Sequence, residues 1–131
     1  MLPPTVPDRF NEEASTYALR GIGQPDIEAG VEAIRNVLAT LPARPGVYRM
    51  VDARGDVLYV GKAKALRHRV ANYTQVLRLP KRLQRMVSQT RSMTIVTTNS
   101  EAEALLLEAQ LIKRYRPPYN VLLRDDKSFP F

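Results

Sequence analysis

Tyr48, Tyr59, Arg69 and Glu108 are the residues whose types and spacing bear on chemistry. Glu108 lies in "EAEALLLEAQLIKRY". At about 100° per residue, Ala104, Leu105, Leu111, Ile112 and Tyr115 all fall within about 60° of it on a helical wheel. Glu103, Gln110, Lys113 and Arg114 fall on the opposite arc. A carboxylate in the middle of an apolar stripe is costly unless a cation, a metal ion or hydrogen bonds satisfy it. Two partners suit it: a Lys or Arg at the edge of the core, or a divalent cation.

A second concentration of charge lies in "VLYVGKAKALRHRV", residues 57–70, where Lys62, Lys64, Arg67 and Arg69 crowd one strand-to-helix corner beside Tyr59. The helix predicted from Lys64 to Tyr73 turns Leu66, Val70 and Tyr73 to the core by their i, i+4, i+7 spacing. Arg69 sits at the edge of that stripe and can turn inward. Arg67 lies further round and suits a surface phosphate contact. His68 falls opposite the stripe, as a solvated residue. Just upstream, "GVYRMVD" and "DVLYVG" flank Ala53, Arg54 and Gly55 as a hairpin. An even loop sets Asp52 opposite Val57 and Met50 opposite Tyr59, with Tyr48 and Tyr59 one diagonal apart on one face. An odd loop without a bulge puts the two tyrosines on opposite faces.

The elements that must position these residues form a small α/β domain of three strands and three or four helices. Residues 1–25 read as a tail punctuated by Pro3, Pro4, Pro7 and Pro25. Residues 26–40 read as a helix capped by Asp26, with Ile27, Val31, Ile34 and Leu38 on one face and Gly30 weakening it. Pro42 and Pro45 bar helix before the hairpin. A further helix is expected from about Arg78 to Thr90, presenting Arg78, Lys81, Arg82 and Arg85 to solvent. "SMTIVTT" supplies the third strand. Ser100 and Glu103 then form a capping box for the longest helix, which Pro117 and Pro118 stop. The remaining "YNVLLRDDKSFPF" is expected to be extended and irregular.

The chain has 131 residues, 44% of them hydrophobic, the size of one domain with one core. It has no cysteine, which rules out a disulfide scaffold and thiolate chemistry and fits a reducing cytoplasm. No apolar run approaches the roughly 18 residues of a membrane span, and the N-terminus lacks a signal-peptide pattern. The net charge of +7 is unevenly placed: residues 1–40 hold three arginines against six acids, a net of −3, and the rest carries +10. Such a cationic domain attracts polyanions by counterion release, which points to nucleic acid.

"GVY" at 46–48 and "YVG" at 59–61 resemble the paired tripeptides of the GIY-YIG nucleases, with Val for the middle Ile in both. Arg69 on the next helix, Glu108 on a later one and Asn120 follow in the family's order. The stretches "LPARPGVYRMVDARGDVLYVGKAKALRHRVANY" and "EAEALLLEAQLIKRYRPPYNVLLRDDKSFPF" resemble the family's excision-repair branch. Gln110, Phe129 and Phe131 depart from its usual Asn and Tyr residues. The resemblance implies a central three-stranded, mostly antiparallel sheet flanked by helices over residues 41–131, with residues 1–40 an extension. It implies one domain of a longer cytoplasmic protein. The resemblance further implies that the domain cuts damaged double-stranded DNA on the 3′ side, in a complex loaded by UvrB, and is monomeric by itself. A binding module without catalysis, or a restriction or homing nuclease, is the alternative.

For the site, the resemblance implies one divalent cation, Mg²⁺ or Mn²⁺, held by Glu108 and largely hydrated. Arg69 neutralises charge at the phosphorus. Tyr59 serves as general base and Tyr48 as its orienting partner, Tyr73 and Lys62 complete the hydrogen bonding, and Asn120 pins the tail over the site. A phenol's ordinary value near 10 is high for a base, so Lys62, Lys64 and Arg69 are expected to lower it. Lys64, Arg67, Arg78, Lys81, Arg82 and Arg85 are the expected DNA contacts.

Overall fold

The computed structural model describes residues 25–123. Helix α1 (Ile27–Leu38) leads into strands β1 (Gly46–Val51) and β2 (Val57–Ala63). Helix α2 (Leu66–Asn72), a 3-10 turn (Val76–Arg78) and helix α3 (Lys81–Gln89) follow. Strand β3 (Ser92–Thr97), helix α4 (Glu101–Tyr115) and helix α5 (Pro118–Leu122) complete the order. The sheet runs β2–β1–β3 and is antiparallel throughout, so β2 is an edge strand.

Alternation along β1 sends side chains to two covered faces. Tyr48 and Met50 join the main core with Ile34 of α1, Leu66 and Val70 of α2, and Leu83, Met86 and Val87 of α3. Val47 of β1 and Val60 of β2 face the other way, against Ala104, Leu107, Leu111 and Ile112 of α4. Arg49 shares that second face. Its guanidinium donates to the Tyr115 hydroxyl at 2.8 Å and lies 5.3 Å from the ring centroid, tying the last turn of α4 to the sheet.

Local chemistry explains the boundaries. Asp26 caps α1 by accepting from the Ala29 N–H at 3.1 Å. Gly30 has a packing purpose: a Cβ there meets the Val87 carbonyl, so the lost helix propensity permits close approach of α1 and α3. Asp52 closes the hairpin, its Oδ1 accepting from Arg54 and Asp56, both at 2.9 Å, with Gly55 at φ +91°. Ser100 accepts from the Glu103 N–H at 3.1 Å, and the Glu103 carboxylate accepts from the Asn99 N–H at 2.8 Å.

Some expectations are corrected. Met50 does oppose Tyr59, but a bulge makes Val51, not Asp52, the partner of Val57, and the extra Leu58 is buried in the main core. The helix expected over 78–90 starts later, at Lys81, because Pro80 breaks the chain between the 3-10 turn and α3. Residues 118–122 are helical rather than extended. Pro118 presets the first helical φ, and Tyr119 is buried in the core. Expectations for residues 1–24 and 124–131 lie outside the described residues.

Candidate active site

The two tyrosines of the hairpin meet because of the register. Tyr48 pairs with Gly61, two residues along from the Met50–Tyr59 pair and so on the same face, and the Tyr48 and Tyr59 ring centroids lie 6.1 Å apart. Gly61 is required at this point. A Cβ there runs into the Tyr48 Cζ and hydroxyl, so the glycine makes the space into which the phenol lies. Tyr73, at the C-terminal cap of α2, completes the group from behind. Its hydroxyl hydrogen-bonds that of Tyr48 at 2.8 Å, with ring centroids 5.8 Å apart.

Arg69 turns inward from α2, as its place at the edge of the apolar stripe anticipates, and it is half-buried. Its positive charge acts on Tyr48, Tyr59 and Tyr73 alike, favouring the ionised form of each. Burial acts more strongly. All three phenols are pushed above their ordinary value of 10, with desolvation the largest cause in each. For Tyr59, Tyr48 and Glu108 add to the rise. The expectation that surrounding cations lower Tyr59 is therefore corrected. Arg69 is the cation that acts on it, and it offsets only part of the desolvation.

Glu108 is also placed differently from the wheel's centre line. Leu107 packs on the sheet in place of Leu105, which is exposed. That rotates the buried stripe of α4 and leaves Glu108 on its flank, half-buried. Desolvation raises its carboxyl above the ordinary value, and Lys62 pulls it back. Among the described residues the carboxylate makes no hydrogen bond or salt bridge. An ion pair with a core-edge arginine or lysine, one of the two partners the sequence left open, is thus absent there.

These side chains converge on one cleft of about 730 Å³ along the β2 edge. Tyr59 and Lys62 of β2, Arg69 of α2, Glu108 of α4 and Asn120 of α5 all line it. Tyr48 and Tyr73 stand buried behind Tyr59. Asn120 does more than line the wall. Its Oδ1 accepts from the Val60 N–H and its Nδ2 donates to the Val60 carbonyl, both at 2.9 Å. One side-chain amide thus does for the edge strand what a neighbouring strand would do.

A single unpaired carboxylate suits a hard, largely hydrated divalent cation, which asks few ligands of the protein. Among the described residues no group of three His, Cys, Asp or Glu side chains could hold a metal by itself. Glu108 is therefore the carboxylate the cleft offers to such an ion.

The expected DNA contacts separate. Lys64 lines a smaller adjoining cleft of about 410 Å³ that shares Lys62 and Arg69. Arg67 is exposed, with its Nε donating to the Leu41 carbonyl at 2.8 Å. Arg78, Lys81, Arg82 and Arg85 are exposed and line neither of these clefts. Arg82 reaches α5 through the Leu122 carbonyl at 2.7 Å. Lys113 and Arg116 line the main cleft, and the sequence reading did not single them out. The wheel put Lys113 on the polar arc. The left-handed reversal at Arg116 folds α5 back and makes that end of α4 an inner wall.

A UvrC-like GIY-YIG domain model matches residues 44–121. UvrABC system protein C of Sphingopyxis alaskensis is 75% identical over 135 residues, which cover 100% of this chain and 21% of that protein. The protein of the same name from Novosphingobium aromaticivorans is 74% identical over 133 residues, covering 98% of this chain and 20% of that protein. The chain spans about a fifth of the length of these curated relatives. A solved structure of the GIY-YIG N-terminal endonuclease domain of UvrC from Thermotoga maritima, bound to its catalytic divalent cation, magnesium, is 35% identical with a TM-score of 0.61. It covers 67% of this chain and 96% of that one.

Proposed function

The chain belongs to the UvrC-like GIY-YIG domain family, and from that premise we propose that it is the metal-dependent DNA endonuclease domain that makes the 3′-side incision of nucleotide excision repair. Residues 41–131 form the nuclease domain, with 1–40 an extension whose helix α1 packs into the same core. Within a longer cytoplasmic protein, UvrB loads the complex onto damaged duplex DNA. The isolated domain is a monomer. No helix among the described residues is long and apolar enough to cross a membrane.

The observation that carries the reading is the convergence of Glu108, Arg69 and Tyr59 on one cleft, with the carboxylate left unpaired. A module that only binds DNA gains nothing from a half-buried acid among cations. In the proposed reaction a phosphodiester is hydrolysed: water adds at phosphorus and the 3′-oxygen leaves. Glu108 holds one Mg²⁺ or Mn²⁺. When bound, the ion supplies Lewis-acid stabilisation of charge at the phosphate and the leaving oxygen.

The chain's own groups do the rest. Arg69 neutralises charge building on the equatorial phosphate oxygens. Tyr59 positions and deprotonates the attacking water, and Tyr48 orients it from behind with the help of Tyr73. As a neutral phenol in the resting protein, Tyr59 first gives its own proton to solvent in the cleft it lines; the phenolate then takes the proton of the attacking water, and the leaving 3′-oxygen takes one from solvent. Arg69 is the side chain that favours this loss. Lys62 balances Glu108, and Asn120 holds α5 over the cleft.

The test is incision of a preloaded, damaged duplex by the full-length protein, comparing Mg²⁺ with EDTA and wild type with Arg69→Ala. Cutting should require the metal, and the variant should lose at least about 10²-fold in rate. Undiminished cutting in EDTA, or by the variant, contradicts the proposal.

A further inference from the structure

The lining of the main cleft holds four cations, Lys62, Arg69, Lys113 and Arg116, against one carboxylate, Glu108. A phosphodiester carries a single negative charge. With Lys62 set against Glu108 and Arg69 against the scissile phosphate, Lys113 and Arg116 remain without an assigned anion. Among the described residues neither side chain makes a hydrogen bond or ion pair.

Arg116 carries a second sign. It caps α4 at φ 46°, ψ 58° and is the one non-glycine with positive φ among the described residues. Glycine is the usual occupant of such a helix end, because a Cβ there is strained. Pro117 follows directly and restricts the preceding residue further. The helix stop itself needs no guanidinium. The position therefore carries strain that glycine or asparagine would ease, and what the arginine adds is a positive charge in the cleft.

We propose that Lys113 and Arg116 form a second phosphate subsite, which takes the backbone phosphate flanking the one that is cut. This rests on reading the cleft as a phosphodiester site. Along α4 the rise from Glu108 is about 8 Å to Lys113 and about 11 Å to Tyr115, the last helical residue before Arg116, so the pair sits beyond the scissile position on the same cleft. The subsite fixes the register of the strand, so that the scissile bond lies over Glu108 and Arg69.

The test is fluorescence anisotropy of a fluorescein-labelled 20-base-pair DNA duplex with the 131-residue chain, across a NaCl series, for wild type, Arg116→Gly, Arg116→Asn, Arg116→Lys and Arg69→Ala. Loss of one phosphate contact lowers the salt slope of log K by about 0.9. Arg116→Gly and Arg116→Asn should each show that loss, with affinity several-fold weaker at low salt, and Arg116→Lys should keep the wild-type slope. Glycine suits the backbone, so the melting temperature of Arg116→Gly should stay level or rise, which separates a lost contact from a damaged fold. An unchanged slope in Arg116→Gly alongside a reduced one in Arg69→Ala overturns the subsite and leaves the active-site reading standing. No reduction in either variant, or no binding by wild type at low salt, also overturns the subsite, and the incision test decides the active-site reading separately.

Discussion

Asn120 makes the clearest separation between holding a site together and doing its chemistry. Its amide meets both outward-facing backbone groups of Val60, each at 2.9 Å, on the free edge of β2. Val60 is fully buried, so those groups have little access to water. Asn120→Ala removes two hydrogen bonds worth about 1 kcal/mol each and leaves a donor and an acceptor poorly satisfied. The loss should come to about 2–4 kcal/mol. At about 4–8 °C per kcal/mol for a domain near 100 residues, the melting temperature should fall by roughly 8–32 °C. Asn120→Asp gives a sharper result. A carboxylate still accepts from the Val60 N–H but faces the Val60 carbonyl with like charge. When protonated it regains a donor. Its stability deficit should therefore be present above the carboxyl's pKa and shrink as pH falls through it. The assay is thermal unfolding by circular dichroism between pH 4 and 8. Unaltered melting in Asn120→Ala, together with lost incision, would refute the staple and make Asn120 a purely chemical residue.

Glu108→Gln should abolish incision, by at least about 10³-fold, yet stabilise the metal-free fold at neutral pH. The carboxyl is raised by burial, so the native state binds more protons than the unfolded state just above the ordinary value of 4.5. Stability then falls as pH rises through that window, and melting curves of the two proteins should converge below it. Millimolar Mg²⁺ should raise the melting temperature of wild type and not of Glu108→Gln. Gly61→Ala should cost about 1–3 kcal/mol in urea unfolding, because the added methyl meets the Tyr48 ring on a buried, close-packed face. For the phenols, absorbance at 295 nm between pH 9 and 11 should be the same in wild type and in Phe variants of Tyr48, Tyr59 and Tyr73, since all three hold their protons above the ordinary value of 10. Their contribution to stability is full below pH 10 and is lost as pH rises beyond it. A missing phenolate signal in Tyr59→Phe would show that the cluster does lower that residue.

The sequence by itself determined the parts that local rules govern. Periodicity placed α1, α2 and α4 and turned Arg69 inward, because side-chain direction on a helix follows from spacing alone. Proline positions and the Ser100 cap set the ends of α4, while strand alternation left Tyr48 and Tyr59 on one face or on opposite faces according to the loop. Three things were decided only by tertiary packing. The bulge at Leu58 changed which residue opposes Val57 while preserving the tyrosine pair. The face of α4 that meets the sheet was chosen by Leu107 rather than Leu105, which moved Glu108 to the flank of the stripe and opened it to the cleft. The protonation of Tyr59 was settled by how much water the fold removes around it, a quantity set by everything packed against the ring. A one-dimensional pattern records which groups are near in sequence, but desolvation and cross-chain contacts such as Asn120 on Val60 exist only once distant segments have closed around one another.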